Sequence, residues 1–499
     1  MTKKKDISTL TLLIIYIILS ILLFDPKLFT GGDNAVYVIL AKSIISGKGY
    51  RNIERPEEPL HTQYPPGFPL LLSIFILVFG ENIIILKFLI LLIGSGALFF
   101  MTKIIQIIFK DHAKIVVLFY LSIPIFIIYN HWLLSEIPFL FFSLGALYFS
   151  LKNSAKNNSL YFIISSIFAT YAFFIRTAGI ALIFAFIVYT FLKKRYLNLV
   201  IFLIIFLTFF FPWEIRSSRI PDNTGYVAQL LAKNPYQMEL GKIGVLDLLS
   251  RISQNFLLYS ITIIPQTILP LLQSDILLVV FGLVFFSLSI VGFIKRINNY
   301  SLVEVYFIFA IVILLIWPRV WSSDRFLLPV LPLFIIYFFV ILFWLQTKLK
   351  SKYFVTVIAG IMIFLNVLWF IPEAKRTLVN NLAYIKGDKF AGYTTDWRRY
   401  FEVIEWINRN IPREKVIMAR KPEFVYLLSR HKSFCYPFTA DIEKINNAIS
   451  IADYIILDNF YWTGTTSRYL VPVIQKAASR YEIVHKTTPP EFYLLRVIK

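Results

Sequence analysis

The chain has one cysteine, Cys435, and five histidines among 499 residues. A single cysteine excludes an internal disulfide framework and any cysteine-built zinc site. So few histidines leave little room for a His-rich metal centre. Charge is also scarce, with 16% of residues Asp, Glu, Lys or Arg, against about 25% in a soluble domain. Glycine (19) and proline (23) are ordinary in number, so the chain is neither collagenous nor of low complexity. No Gly-rich phosphate loop and no basic, aromatic-interleaved recognition segment occurs. Acidic residues are outnumbered by basic ones, 29 to 50, for a net charge of +21. The basic residues sit in short clusters between apolar runs, the pattern that orients membrane helices rather than one that grips nucleic acid.

What is abundant is apolar: 58% of residues are hydrophobic and 17% aromatic, with a mean hydropathy of +0.70. One soluble core stops growing near about 250–300 residues, so the excess belongs to a polytopic α-helical membrane protein. A span needs about 20 residues, fewer with aromatic anchors. Eleven are read near 8–25, 82–102, 115–131, 136–151, 159–175, 178–193, 197–213, 276–294, 302–318, 326–346 and 353–371. The first comes after Lys3 to Lys5 and has no small-residue cleavage site behind it, so it is read as an uncleaved span. One set of loops is basic: Lys103, Lys110 and Lys114; Lys152 and Lys156; Lys193 to Arg195; Lys295 and Arg296; Lys348, Lys350 and Lys352. By the positive-inside rule these loops and the N-terminus are cytoplasmic. The other set is then outside: 26–81, the turn at Ser135-Glu136, Arg176-Thr177, 214–275, Pro318 to Arg325, and every residue after 371. The apolar stretch 68–79 is too short to cross comfortably and is expected in the interface or as a re-entrant segment, which the parity supports.

Two domains emerge from this reading, a membrane domain over 1–371 and a soluble α/β domain over 372–499 on the outer side. The tail mixes helix-like segments (397–410 and 442–450) with strand-like runs at 415–419, 454–457, 481–485 and 492–497. Ile411-Pro412 closes its first helix, because a residue before proline avoids the helical region.

The polar oddities gather in the outer loops. Val36, Ile39, Leu40 and Ile44 recur at helical spacing, so Asp33 or Asn34 starts a short amphipathic helix, expected in the interface with its apolar face towards lipid. Asp33 fits an N-cap. Tyr64-Pro65-Pro66 forces an extended turn that holds Tyr64 against the next segment of chain. Arg176 interrupts two long apolar runs; a charge near the membrane centre costs at least about 2.5–3.5 kcal/mol, so it must face protein, water or a headgroup. Arg216 and Arg325 also adjoin spans, where snorkelling alone explains an arginine. Glu136 opens the fourth span, where a first-turn acid is favoured by the helix dipole. Asp324 beside Arg325 suggests a local ion pair. Trp317, Trp321 and Phe326 read as an interfacial aromatic belt. His61, a single loop histidine, is at home in solvent.

Asp33, the helix after it, Tyr64-Pro65-Pro66 and the apolar segment ending at Gly80 resemble the GT-C superfamily of integral-membrane glycosyltransferases. Within it, the chain is similar to protein O-mannosyltransferases and to the aminoarabinose transferases that modify lipid A. The resemblance covers roughly residues 1–215 and continues through Trp317-Pro318-Arg319 and 324–332. It implies a GT-C fold in a cell membrane and transfer of a sugar from a polyprenyl-phosphate donor to an extracytoplasmic hydroxyl on lipid, glycan or protein. The loop carboxylate, here Asp33, is then the base. Protein mannosyltransferases carry Asp-Glu where this chain has Asp33-Asn34.

A positioned carboxylate contributes about 10²–10⁴-fold when an attacking hydroxyl must lose its proton. The lipid phosphate leaves as an anion and needs cations, a task that suits the planar guanidinium fork. Asp33 is thus expected as the catalytic base of an inverting transfer, with Tyr64, His61, Glu136, Arg176 and Arg325 binding substrate. No cofactor is implied beyond a divalent cation that Asp33 and Glu136 could share. The rival readings are a lipid or glycan transporter or flippase and a lipid-linked oligosaccharide ligase or polymerase. A transporter places its ionisable groups near mid-membrane, whereas these gather at one face.

Overall fold

The computed structural model describes residues 8–156, 158–220 and 226–499; Lys3 to Lys5, on which the cytoplasmic N-terminus rests, lie outside them. Each of the eleven expected spans falls on an apolar helical stretch. The helices of the membrane part are α1 (Thr9–Leu22), α2 (Asn34–Ile45), α3 (Gly67–Phe79), α4 (Ile83–Phe109), α5 (Ala113–Ser122), α6 (Glu136–Lys156), α7 (Ser159–Ile175), α8 (Ile180–Leu192), α9 (Tyr196–Ser218), α10 (Val245–Leu258), α11 (Asp275–Arg296), α12 (Leu302–Ile316), α13 (Leu331–Lys348) and α14 (Phe354–Ile385). Among the described residues, five helical stretches are by themselves long and apolar enough to cross a bilayer: Ile83–Ser122, Tyr196–Ser218, Asp275–Asn299, Leu331–Lys348 and Phe354–Ile385. The other spans are shorter apolar helices. The stretch 83–122 doubles back at a tight turn over Lys110–His112, since Gly94 of α4 lies against Asn130 beyond the end of α5.

Hydrogen bonds between distant segments put alternate helix ends on one side. Tyr16 of α1 donates to Asn130 Oδ1 at 2.9 Å. Arg216, in the last turn of α9, donates to the backbone oxygens of His61 and Tyr50 at 2.8 and 2.7 Å. Asn381 of α14 donates to the Phe24 oxygen just after α1, at 2.7 Å. Helix α3 does not cross. Its Gly67 oxygen accepts from Tyr171 of α7 at 2.9 Å, while Glu81 just beyond its end pairs with Arg430 of the C-terminal part at 2.6 Å. At 13 residues it is about 20 Å long, short of the ~30 Å hydrocarbon core.

One expectation about the outer loops is corrected. Helix α2 was expected to turn its apolar face to lipid, yet nine of its residues, including Val38, Leu40 and Ala41, are buried. Helix α3 covers one face and the C-terminal part the other, where Ala35 joins a cluster with Trp397 and Phe424. The loop 214–275 contains α10, whose exposed Val245, Leu246, Leu249 and Leu257 lie opposite buried Arg251 and Asn255. The Arg251 guanidinium donates to the oxygens of Leu230 and Ala232 at 2.7 and 2.6 Å.

Helix α14 runs on through Pro372 to Ile385 and leads into a small α/β unit. Its elements are α15 (Thr395–Asn410), β1 (Ile417–Met418), α16 (Pro422–Ser429), β2 (Ser433–Phe434), α17 (Ile442–Ile451), β3 (Tyr454–Leu457), β4 (Tyr481–Lys486) and β5 (Tyr493–Val497). The sheet order is β2-β1-β3-β5-β4, with β2, β1 and β3 parallel and β5 antiparallel to both β3 and β4. The first loop is stitched to its edge: Ser433 N–H donates to the Glu54 oxygen at 2.7 Å, and Lys432 Nζ donates to the Ile53 oxygen at 2.7 Å.

Helix α11 meets α13 at Gly292, where a Cβ would stand 1.9 Å from the Tyr337 oxygen, whereas one added at Gly360 of α14 would meet nothing within 4 Å. Gly292→Ala is expected to cost about 1–3 kcal/mol through overpacking, read as a lower unfolding temperature in detergent. Gly360→Ala should not lower it.

Candidate active site

Three breaks in the helical architecture converge on one buried carboxylate. Glu136 starts α6 and is wholly buried. Arg176 occupies the extended break between α7 and α8. Arg325 lies in the turn Asp324–Leu327 before α13. Arg176 Nη1 and Arg325 Nε both meet Glu136 Oε1 at 2.6 Å. Two guanidiniums on one carboxylate oxygen leave an excess of positive charge, and neither arginine is sealed in: their side chains are 13% and 22% exposed. The Arg176 guanidinium also lies over the Phe326 ring, 5.2 Å from its centre. The expected Asp324–Arg325 ion pair does not form. Consecutive residues of a helical turn do not face each other, and Asp324 Oδ1 instead accepts the Arg325 backbone N–H at 2.9 Å.

Asp33 stands beside this cluster. It occupies the residue before α2, but its side chain makes no capping hydrogen bond. Its Oδ1 accepts from the Tyr64 hydroxyl at 2.8 Å, and its Oδ2 lies 3.5 Å from Arg325 Nη2. The Tyr64-Pro65-Pro66 turn thus aims a phenol at a carboxylate 31 residues away. Ser135 completes the wall: its Oγ is 3.2 Å from Arg176 Nη1 and 3.2 Å from the Tyr37 hydroxyl.

His61 is placed differently. It is buried, its Nδ1 is 2.7 Å from Asn52 Oδ1, and its Nε2 accepts the Tyr64 N–H at 2.9 Å. Burial, and then the nearby Arg216, pushes its pKa down to about 3. Neutral and with both ring nitrogens engaged, it holds the backbone of Tyr64 and does not line the cavity. Arg216 braces the same loop and stacks on Trp213 at 5.1 Å.

The brought-together residues, Asp33, Tyr64, Arg176 and Arg325, line a cavity of about 960 Å³ that Trp317, Trp321 and Phe326 also line. That volume lies at the upper end of small-molecule clefts, about 300–1,000 Å³. The three aromatics, read from sequence as a lipid belt, are therefore cavity wall. The opposite wall comes from the C-terminal unit and includes Trp462 together with Arg420, Lys421 and Phe438; sequence reasoning missed the last three. Arg420 and Lys421 lie just past the strand-like run 415–419, whereas Phe438 carries no local signal. From Arg176, Arg325 and Trp317 a narrow apolar crevice of about 30 Å³ continues between α8 and α12, lined by Ala181, Tyr306 and Ala310. Among the described residues, no three or more His, Cys, Asp and Glu side chains converge as a metal site. Asp33, on the cavity, and Glu136, buried behind it, are bridged by Arg325, which is bonded to both.

Residues 63–215 match the family described as dolichyl-phosphate-mannose-protein mannosyltransferase. The match includes Tyr64, Glu136 and Arg176; Asp33 and Arg325 lie beyond it. No curated protein matches the chain. Among solved structures, ArnT of Cupriavidus metallidurans bound to undecaprenyl phosphate is similar, with a TM-score of 0.58 at 11% identity over 97% of each chain. Its apo form gives 0.61 at 12% identity, again over 97% of each. The oligosaccharyltransferase of Archaeoglobus fulgidus in its apo form gives 0.60 at 14% identity, over 98% of this chain and 74% of its own. The fold is that of the GT-C membrane glycosyltransferases.

Removing one partner of a buried ion pair strands the other charge, at about 3–5 kcal/mol. Glu136→Ala is accordingly expected to lower stability by about that much in a denaturation assay in detergent. His61, neutral when folded, binds a proton on unfolding between pH 6.5 and its folded pKa of about 3. Its contribution to stability is therefore complete above pH 6.5 and declines as pH falls, by at most about 1.4 kcal/mol per pH unit. Subtracting the pH–stability curve of His61→Gln from that of the wild type should isolate this slope.

Proposed function

We propose that this chain transfers a sugar from a polyprenyl-phosphate-linked donor to a hydroxyl acceptor on lipid, glycan or protein. The observation that carries the reading is the meeting of Asp33, Arg176 and Arg325 at one end of a cavity from which an apolar crevice leaves at the same two arginines. The donor phosphate sits against the two guanidiniums, which Glu136 holds in place, and its lipid leaves past the mouth of the apolar crevice between α8 and α12. Planar forks match phosphate oxygens and remain charged at any working pH.

The sugar then lies towards Asp33. The acceptor oxygen attacks the anomeric carbon as its proton passes to the Asp33 carboxylate. The bond from the anomeric carbon to the phosphate oxygen breaks, and its electron pair leaves on the polyprenyl phosphate. One displacement inverts the anomeric configuration. Tyr64 orients the carboxylate through Oδ1, and Oδ2, which Arg325 meets only at the long distance of 3.5 Å, works as the base. Because the leaving group is already an anion, the site needs electrostatic stabilisation there rather than a general acid. The structure of ArnT bound to undecaprenyl phosphate supports a lipid of that kind as the carrier.

The side of the membrane is set by charge. Lys103 to Lys114, Lys152 and Lys156, Lys193 to Arg195, Lys295 and Arg296, and Lys348 to Lys352 all lie at helix ends away from the site, and positive charge stays in the cytoplasm. The cavity and residues 372–499, taken as a second domain, then face outward from a multi-pass plasma membrane protein.

The test is donor turnover by purified protein in lipid nanodiscs, offered a panel of polyprenyl-phosphate sugars with and without hydroxyl acceptors. One donor should be turned over, and Asp33→Asn should slow transfer by at least about 10²-fold without loss of folded protein. Near-normal transfer by Asp33→Asn removes the proposed base.

A further inference from the structure

The C-terminal unit faces the cavity with a particular edge. Strands β2, β1 and β3 run parallel, and the residues that leave their carboxyl ends all reach the cavity: Tyr436 and Phe438 after β2, Arg420 and Lys421 after β1, and Trp462 after β3. In open α/β sheets the binding crevice lies outside the carboxyl ends of the parallel strands. The edge that such a fold uses for ligands is thus turned towards Asp33 and not towards bulk solvent.

The chemistry on that edge is cationic and aromatic. The Arg420 guanidinium lies 4.7 Å from the Phe438 ring centre and 5.0 Å from that of Trp462. Its Nε donates to Thr465 Oγ1 at 3.0 Å, and among the described residues its terminal nitrogens make no hydrogen bond. The other cavity cations are committed to carboxylates: Arg176 and Arg325 to Glu136, and Lys421 to Glu423 at 3.3 Å. Asp458, the first residue after β3, accepts from Thr466; burial raises its pKa to about 6, against the nearby Arg420 charge, which lowers it without a hydrogen bond between the two. Arg420 is therefore a preformed fork, held against two rings and pointing no terminal N–H at an acceptor among the described residues. Trp462 beside it is 46% exposed, so it keeps ring surface for a ligand.

We propose that Arg420, Phe438 and Trp462 form an acceptor subsite for an acidic sugar residue of a glycan. The acid group, carboxylate or phosphate, takes the Arg420 fork in a bidentate pair. The apolar face of the sugar ring packs on Trp462. The inference rests on the sugar-transfer reading and names the acceptor class: a glycan with an acidic residue next to the hydroxyl that is modified.

The test is a binding measurement that needs no donor. Saturation-transfer NMR on the full chain in nanodiscs compares a tetrasaccharide of alternating glucuronate and N-acetylglucosamine with neutral chitotetraose, a phosphorylated chitotetraose and an acidic peptide. The wild type should bind the glucuronate or the phosphorylated probe at least tenfold more tightly than the neutral one. Arg420→Gln should lose that preference, and Arg420→Lys should keep part of it. Trp462→Leu should weaken all three sugars. Equal binding of acidic and neutral sugars by the wild type, unchanged affinity in Arg420→Gln, or tighter binding of the peptide overturns the subsite. These outcomes stand apart from donor turnover: the predicted binding pattern supports the subsite even where no donor is cleaved, and its absence overturns the subsite even where transfer is found.

Discussion

A carboxylate sealed inside a membrane protein must be matched by positive charge, and Glu136 is matched twice. Desolvating ions is expensive and breaking such a pair more so, so the two guanidiniums that meet Glu136 Oε1 at 2.6 Å constrain everything attached to them. Arg176 can reach it only if the chain between α7 and α8 leaves the helical conformation. Arg325 can reach it only if α13 begins late, after the turn at Asp324–Leu327. The start of α6, the break before α8 and the approach to α13 are thereby held at one point on one face, and the cavity opens there.

Asp33 depends on that arrangement without being sealed by it. Its carboxylate is 33% exposed, with Arg325 on one oxygen and Tyr64 on the other. A cap would have turned it towards the N–H groups of α2; the stronger partners across the cavity turn it away. The position of Tyr64 is itself secured from behind. The buried, neutral His61 accepts the Tyr64 N–H, and Arg216 clamps the loop oxygens of Tyr50 and His61. Asp33 is held by a loop, yet by a loop with rigid support, the kind of fixed carboxylate geometry that the proposed base requires.

The two walls of the cavity differ in kind. The membrane wall offers two cations held on one buried acid, with an apolar crevice behind them. The wall from the C-terminal unit offers strand ends, aromatic rings and a guanidinium against them. A lipid-borne phosphate suits the first wall and a polar, ring-containing acceptor suits the second, with Asp33 between them. The stitching of the first loop to β2 through Ser433 and Lys432 keeps the two walls in register.

Much of this was legible in the sequence, because the rules involved are local. Hydrocarbon thickness and the run length of apolar residues located the eleven helical stretches, and their alternation with lysine-rich loops put Asp33, Glu136, Arg176 and Arg325 at the same face. The short length of 68–79 was enough to keep α3 from crossing. Tertiary structure alone decided which groups touch. Arg325 meets Glu136 across 189 positions of chain and Asp33 across 292, separations over which composition and periodicity carry no information. Local rules therefore paired Asp33 with its own helix, Arg325 with Asp324 and α2 with lipid. In the fold, the cost of burying Glu136 unpaired and the cover supplied by the C-terminal unit outweigh each of those preferences.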